Sequence, residues 1–599
     1  MAAHKRRAVR AVPRTTDRRV AAVAAPETAP RTWVVTLLVF VGLFAVYTAN
    51  ARLLGAGDSI PTRRLPFSLL REGDVDLDEF TWELNRKGKP PYYIRLINGH
   101  AYSVSTLATA LVVTPLYVVP AWWLAANHVD YDDVRARVVE VVMERVAAAM
   151  LTALSAALLF VLLRRLTTWR WALGLTLVYG LGTTTWAISS QALWPHALAQ
   201  LTLVLLSLVL LAPAPSRAQL IGAGVVAALM VANRPQMVMF AALALIFVWV
   251  HHRRHIVAFA VIPALSAVAL VLYNRAIFNA VTGGYGGFRH FGSLWEGLAG
   301  LFVSPNRGLL VYTPLMAFAL WGAVRVWRVP VPAWLRWLTI GVVLHVLVHA
   351  SFKEWWAGYT YGPRYLTDVL PVLTLFLIYG LVPYVRHVAV AGLAIGLALY
   401  GVAVQAIGVY AADDLWNREP APLERAPGRV WDWGDLQIAR SLHNGFRGGE
   451  LLPVLWDAFE DPLPAHVVEL APADLASTIE IDGLPARMHG GETVPTTVRV
   501  LNRGSRSWPA FNGEGVISAR WLVYLMVRWF DGARPVAGTG DVVLLPENLA
   551  PGESLTMELP LLAPRPAREY GLELRVTQAI DGTRGIVGTD ALRIPVHVE

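Results

Sequence analysis

Apolar positions come first in long runs and later in alternation, and the change falls just after residue 410. Runs close to the length needed to carry an α-helix across about 30 Å of hydrocarbon occupy 33–49, 141–163, 171–189, 193–212, 218–232, 236–250, 256–273, 307–324, 336–351, 366–383 and 388–410. A further run, 103–125, is as apolar but is interrupted by Pro115 and Pro120. From Ser477 short alternating segments take over, at 496–501, 521–527, 555–559, 572–576 and 592–596. Between them lie the turn formers Asn502-Arg503-Gly504-Ser505, Asp531-Gly532, Pro551-Gly552 and Asp581-Gly582. The pattern predicts a polytopic α-helical membrane protein of about 11 transmembrane helices, followed by an antiparallel all-β sandwich of roughly 120 residues.

Charge assigns the sides. Arg164-Arg165, Arg170, the stretch His251 to His255, Arg325, Arg328 and Arg386 fall at alternate run ends, and with the basic segment 1–31 they mark the cytoplasmic face. A full crossing by 103–125 would turn Arg164-Arg165 outward, so that run is expected to be a re-entrant or interfacial helix. It then lies inside one long outer loop, 50–140. The expected organisation is a cytoplasmic basic tail (1–31), a transmembrane domain (32–410), an extracytoplasmic Pro-rich connecting region (411–476) and the outer sandwich (477–599). Met1–Arg31 lacks a short apolar core with a small-residue cleavage site and reads not as a signal peptide but as a basic tail, an orientation signal first and a partner of anionic headgroups second.

Composition narrows the classes further. Only 16% of the 599 residues are charged, against about 25% in soluble domains, which excludes a soluble enzyme. The formal charge of +9 would suit nucleic acid, but the cations gather at run ends, so no nucleic-acid partner is expected. With no cysteine, disulfides, thiolate catalysis and Cys-based zinc sites are excluded. His251-His252-Arg253-Arg254-His255 is interleaved with arginine and reads as an orientation signal, and no metal ligands are assigned.

The outer loops are long and chemically mixed, so the chemistry is expected there. The first begins Gly57-Asp58-Ser59-Ile60-Pro61. A carboxylate at the water boundary near Arg63 and Arg64 can take a proton from a hydroxyl, or Asp58 is a turn residue between Gly and Pro. The second, with Thr282-Gly283-Gly284-Tyr285-Gly286-Gly287 and Ser304-Pro305-Asn306-Arg307-Gly308, has no Gly-Lys-Ser/Thr and reads as a flexible lid, not a P-loop. The third, Lys353-Glu354-Trp355-Trp356-Ala357-Gly358-Tyr359-Thr360-Tyr361-Gly362-Pro363-Arg364, sets a planar guanidinium among aromatic faces. That suits phosphate and sugar, and equally an aromatic belt with a snorkelling arginine. His196, in Trp194-Pro195-His196, caps a helix or binds substrate. Arg234, in Asn233-Arg234-Pro235, meets an anionic headgroup or snorkels. His345 and His349 share one span.

Taken in order, Gly57-Asp58-Ser59, Leu193-Trp194-Pro195-His196, Asn233-Arg234-Pro235, Gly300 to Leu309 and Trp355 to Leu366 resemble the GT-C-fold polytopic glycosyltransferases. That is the class of the protein O-mannosyltransferases and the aminoarabinose transferase of lipid A. The carboxyl segment resembles Ig-like domains appended to bacterial enzymes. The resemblance implies transfer of a sugar from a polyprenyl-phosphate donor to a glycan, lipid or protein acceptor on the extracytoplasmic face of a bacterial inner membrane. Asp58 would then be catalytic, as a base or as a helper of a divalent metal, with no cofactor otherwise required. Arg364 and Arg234 would hold the donor phosphate, and Trp355, Trp356, Tyr361, His196 and Glu354 would bind substrate. A transporter or flippase is the alternative, against which stands the near-absence of mid-span charge. A scaffold displaying the sandwich is a third reading, and it does not need eleven spans.

Overall fold

The computed structural model of the protein describes residues 30–599 except 53, 56, 84–91, 99, 132, 286–290, 413, 414, 419, 444, 447–468, 510–521, 537–540, 546, 547, 565 and 580–584. The basic tail up to residue 29, much of the connecting region and the Asp581-Gly582 turn therefore lie outside the described residues.

The chain opens with α1 (Thr32–Thr48), α2 (Ile60–Arg71), a hairpin of β1 (Ile94–Ile97) and β2 (His100–Ser103), and α3 (Ala108–Ala126). There follow α4 (Val134–Arg164), α5 (Trp169–Leu181), α6 (Pro195–Leu210), α7 (Arg217–Asn233), α8 (Val238–His251), α9 (Ile256–Phe278) and α10 (Leu294–Val303). The helical part is completed by α11 (Leu309–Tyr312), α12 (Met316–Arg325), α13 (Ala333–Ala350), α14 (Leu370–Gly380) and α15 (Val388–Tyr410). Local chemistry sets several ends. Asp133 caps α4 by accepting from the Arg135 amide at 2.8 Å, and Ser216 and Gln219 form a reciprocal capping box on α7. Asn279, in the left-handed region at φ 50°, ends α9.

Each of the eleven apolar runs contains a helix, but two are broken. The run 171–189 stops at Leu181 and resumes as a π turn, Thr185–Ser189. The run 307–324 breaks at Thr313-Pro314, because Pro314 has no N–H to continue α11. Among the described residues five helices are long and apolar enough to cross a membrane: Ala108–Ala126, Arg135–Arg164, Arg253–Phe278, Ala333–Ala350 and Val388–Tyr410. The protein is thus a multi-pass membrane protein in its helical part. The first of the five is α3, the helix expected to be re-entrant. It runs unbroken through Pro115 and Pro120, about 28 Å at 1.5 Å per residue. Helices α12 and α14 pack backbone to backbone: a Cβ at Gly380 would stand 1.8 Å from the Phe318 carbonyl oxygen, and one at Gly322 would stand 2.0 Å from that of Phe376. Small residues make such approaches between apolar helices, where packing and not water exclusion supplies the attraction.

After α15 come the short helices α16 (Leu415–Arg418) and α17 (Gln437–His443). The β region holds β3 (Ser477–Asp482), β4 (Arg487–Met488), β5 (Thr493–Asn502), β6 (Val523–Asp531), β7 (Arg534–Pro535), β8 (Asp541–Leu544), β9 (Ser554–Leu562), β10 (Arg568–Ala579) and β11 (Gly585–Val598). One sheet runs β4-β11-β10-β6-β7 with β8 also on β6, and the other runs β3-β5-β9. All pairings are antiparallel except β4 with β11. The alternation read in the sequence turns Val498 and Val500 of one sheet toward Val523, Leu525, Val527 and Trp529 of the other, in one shared core that buries Trp508.

Candidate active site

Asp58 lies in a single 3-10 turn, Gly57–Ser59, between α1 and α2. Position 57 has no room for a side chain: a Cβ would lie 2.5 Å from the Tyr92 hydroxyl, which hydrogen-bonds the Asp58 carboxylate. Arg364 opens a 3-10 segment, Arg364–Val369, that leads into α14. Its Nη2 donates to Asp58 Oδ2 at 2.7 Å, joining positions 306 apart in sequence. Burial alone would raise the Asp58 carboxyl. The Arg364 charge and hydrogen bond, helped by Tyr92, outweigh burial and hold it below its ordinary value.

The Arg364 guanidinium stacks on Trp194, its Cζ 3.6 Å from the ring centroid, and its Nε donates to His196 Nε2 at 3.1 Å. Pro195, which needs no N–H partner at the first helical position, starts α6 and leaves His196 fully buried in the first turn. Arg234 follows the last residue of α7. Pro235 disfavours helix at the residue before it, and Arg234 is extended, at φ −141° and ψ 108°. Its Nη1 lies 3.0 Å from His196 Nδ1 and 3.3 Å from Nε2, hence across the ring and not along one lone pair. The adjoining Asn233 bonds the Pro195 carbonyl at 2.7 Å and takes a hydrogen bond from Thr109 at 2.6 Å, so the starts of α3 and α6 are tied to the end of α7.

One member of this cluster was not singled out in the sequence. Asp368, fully buried four residues after Arg364, accepts from His196 Nδ1 at 2.7 Å. Its other oxygen stands 3.1 Å from Arg234 Nε, an ion-pair contact without hydrogen-bond alignment, and 4.0 Å from His345 Nε2. The signal was present, since an acid inside an otherwise apolar run is a functional candidate by default.

The cluster thus unites Asp58, Arg364, His196 and Arg234, drawn from four separate stretches of sequence. It does not include the rest of the expected set. Trp355 and Trp356 are buried against Trp416, Leu423 and Val430 of the connecting region, where Trp355 Nε1 donates to Glu296 at 3.3 Å. Beside them a fully buried Arg307 is held by Gln437 at 2.7 Å and Asn417 at 2.6 Å. The Tyr361 hydroxyl donates to the Val404 carbonyl at 2.9 Å, and its ring meets Tyr312 edge-on. Glu354 is exposed. Among the described residues one group has metal-ligand spacing, Asp76, Asp78 and His100, whose ligand atoms lie within 4.8 Å of one another; Asp58 is not part of it.

No protein-family model matches the chain, and no curated protein matches it. Among solved structures, the crystal structure of ArnT from Cupriavidus metallidurans bound to undecaprenyl phosphate is similar, with 13% sequence identity and a TM-score of 0.38, over 72% of this chain and 78% of that one.

Proposed function

We propose that the protein is a membrane glycosyltransferase that moves a sugar from a polyprenyl-phosphate donor to an acceptor hydroxyl on the extracytoplasmic face. The observation that carries this reading is the pairing of a partly exposed carboxylate, Asp58, with the guanidinium of Arg364, which His196 links to a second anchored guanidinium, Arg234. An acid and two cations at a membrane boundary are what the reaction requires. The acceptor oxygen attacks the anomeric carbon, and the bond from that carbon to the phosphate oxygen breaks. The electron pair leaves with polyprenyl phosphate, and the hydroxyl proton passes to Asp58. Paired with Arg364, Asp58 is a weak base. A donor phosphate that takes over Arg364 and Arg234 weakens that pair and makes the carboxylate more basic as substrate binds. His196 and Trp194 hold Arg364 in place. Trp355, Trp356 and Tyr361 act through the fold of the loop that delivers Arg364, and Glu354 stands at its exposed edge.

The same reading puts residues 32–410 in a bacterial inner membrane in eleven crossings, with the tail inside and the sandwich outside. If the chemistry uses a divalent metal, Asp76, Asp78 and His100 are the residues with the donor set for one.

The test uses the full chain in lipid nanodiscs with a panel of labelled polyprenyl-phosphate sugars and an envelope extract as acceptor. Wild type transfers label. Asp58→Asn keeps donor binding and loses transfer by roughly 10²–10⁴-fold, while Arg364→Ala weakens donor binding itself. Undiminished transfer by Asp58→Asn makes Asp58 a turn residue and removes the reading.

A further inference from the structure

Beneath the two arginines lies a buried carboxylate that neither chemistry nor packing accounts for. Asp368 is fully buried in a run that is otherwise apolar from 366 to 383. Taking a charge out of water is costly unless partners restore the loss. Its nearest partners are His196 and Arg234, with His345 Nε2 farther off at 4.0 Å. One carboxylate oxygen receives His196 Nδ1 at 2.7 Å and the other approaches Arg234 Nε at 3.1 Å.

We propose that Asp368 is the positioning residue of the anion site: it fixes His196 and Arg234 directly, and Arg364 through His196, so that both guanidiniums are presented at a set spacing to a phosphate headgroup. The inference rests on the donor-phosphate reading above and deepens it. A carboxylate only accepts, so His196 Nδ1 carries the proton in this contact. His196 Nε2 is then a lone pair, which is what the Arg364 Nε–H meets at 3.1 Å. With Ala at 368 the ring loses the acceptor that holds its proton on Nδ1, and a ring with its proton on Nε2 turns a donor toward Arg364, which has no acceptor. Asp368 also secures Arg234 from the buried side. The two arginine side chains keep 8% and 14% of their surface exposed, so each is anchored from behind with a small edge left for a ligand. Arg364 and Asp368 belong to a single 3-10 segment, Arg364–Val369, so one short segment supplies two of the four members of the chain Asp368–His196–Arg364–Asp58.

Titration of undecaprenyl phosphate into the full chain in nanodiscs tests this as a double-variant cycle. Asp368→Asn is expected to weaken binding on the order of tenfold, and adding it to Arg364→Ala is expected to cost clearly less than it costs alone, because the part carried through His196 to Arg364 is already lost and only the Arg234 part remains. A merely structural role gives additive losses and overturns the proposal, as does unchanged affinity in Asp368→Asn. Should Asp368→Asn not fold, His196→Ala interrupts the same chain with the Asp368–Arg234 pair intact, and the same non-additivity is expected. A second readout does not depend on the donor. In protein labelled with nitrogen-15 at histidine, His196 is expected to be protonated at Nδ1 in wild type and mixed in Asp368→Ala, which leaves Nδ1 without its acceptor. An unchanged tautomer overturns the positioning role. Wild type that does not bind the lipid phosphate, with the tautomer shifting as described, defeats the donor reading and leaves the positioning role standing.

Discussion

At the scale of single residues, ion pairs decide what the outer loop does with its charges. Asp58 and Arg364 neutralise each other, while Arg63 and Arg64 are taken up by Glu140 and Glu144 of α4 at 2.9–3.3 Å. Those two arginines, which the sequence places beside Asp58, are therefore committed to holding α2 on α4. Glu79 has the opposite fate. Burial, with Asp74 and Asp76 near it, pushes its carboxyl up to about 7 although Ser68 donates to it. Between the ordinary glutamate value near 4.3 and about 7, the folded state holds a proton that the unfolded chain has lost, so stability falls as pH rises through that window. Glu79→Gln mimics the protonated form. Its melting temperature should match wild type at pH 5 and exceed it at pH 8; a difference equal at both values would mean that Glu79 does not titrate as described. His196, Arg234 and Arg364 were legible because each sits beside a Pro at the end of an apolar run, and Asp58 because it follows a Gly in the loop just beyond one, where chain direction changes and polar groups collect. Asp368 carried a different signal, an acid inside an apolar run, but no adjacent Pro or Gly marks it, and its partners come from 172 and 134 positions away. Trp355 and Trp356 were legible as aromatic, but which surface they cover depends on the connecting region folding back on them.

At the scale of elements, apolar periodicity located the helices and missed their breaks. Hydrophobicity continues through Thr313-Pro314 and Gly182 while the hydrogen-bond ladder does not. The 10-residue helix α10 was not expected, since it lies in a loop read from its glycines, yet it is started by Ser293, which accepts from the Glu296 amide at 3.3 Å. Helix α3 is where the two kinds of reasoning meet. Its length and composition permit a crossing, and the positions of Arg164 and Arg165 argue against one. Reporter fusions at residues 30, 168 and 470 resolve this: the re-entrant arrangement predicts inside, inside and outside. An outside signal at 168 would make α3 a full span and reverse the expected sides of the helices from α4 onward.

At the scale of the molecule, the helical part and the β region each close their own core. The turn formers and alternation of 496–596 were enough to see two sheets coming, because a strand with one face on a core must alternate. What they did not reveal is the start of the unit. Leu470 and Leu475 belong to the sandwich core, the Leu470 amide donates to Gln578 at 2.7 Å, and Trp508 Nε1 donates to the Asp474 carbonyl at 2.8 Å. A fragment 469–599 should therefore fold in water with a cooperative thermal transition and β-type circular dichroism. The fragment 477–599 should be less stable by several degrees, since it leaves part of that core uncovered; equal stability would mean that the leading segment is only a tether. The central claim, that the anion site and its carboxylate perform sugar transfer, meets its most direct test in one comparison: donor binding and transfer measured side by side for wild type and Asp58→Asn in the same nanodiscs. The account predicts unimpaired binding with transfer reduced roughly 10²–10⁴-fold. Transfer at the wild-type rate, with Asp58 reduced to an amide, would contradict it.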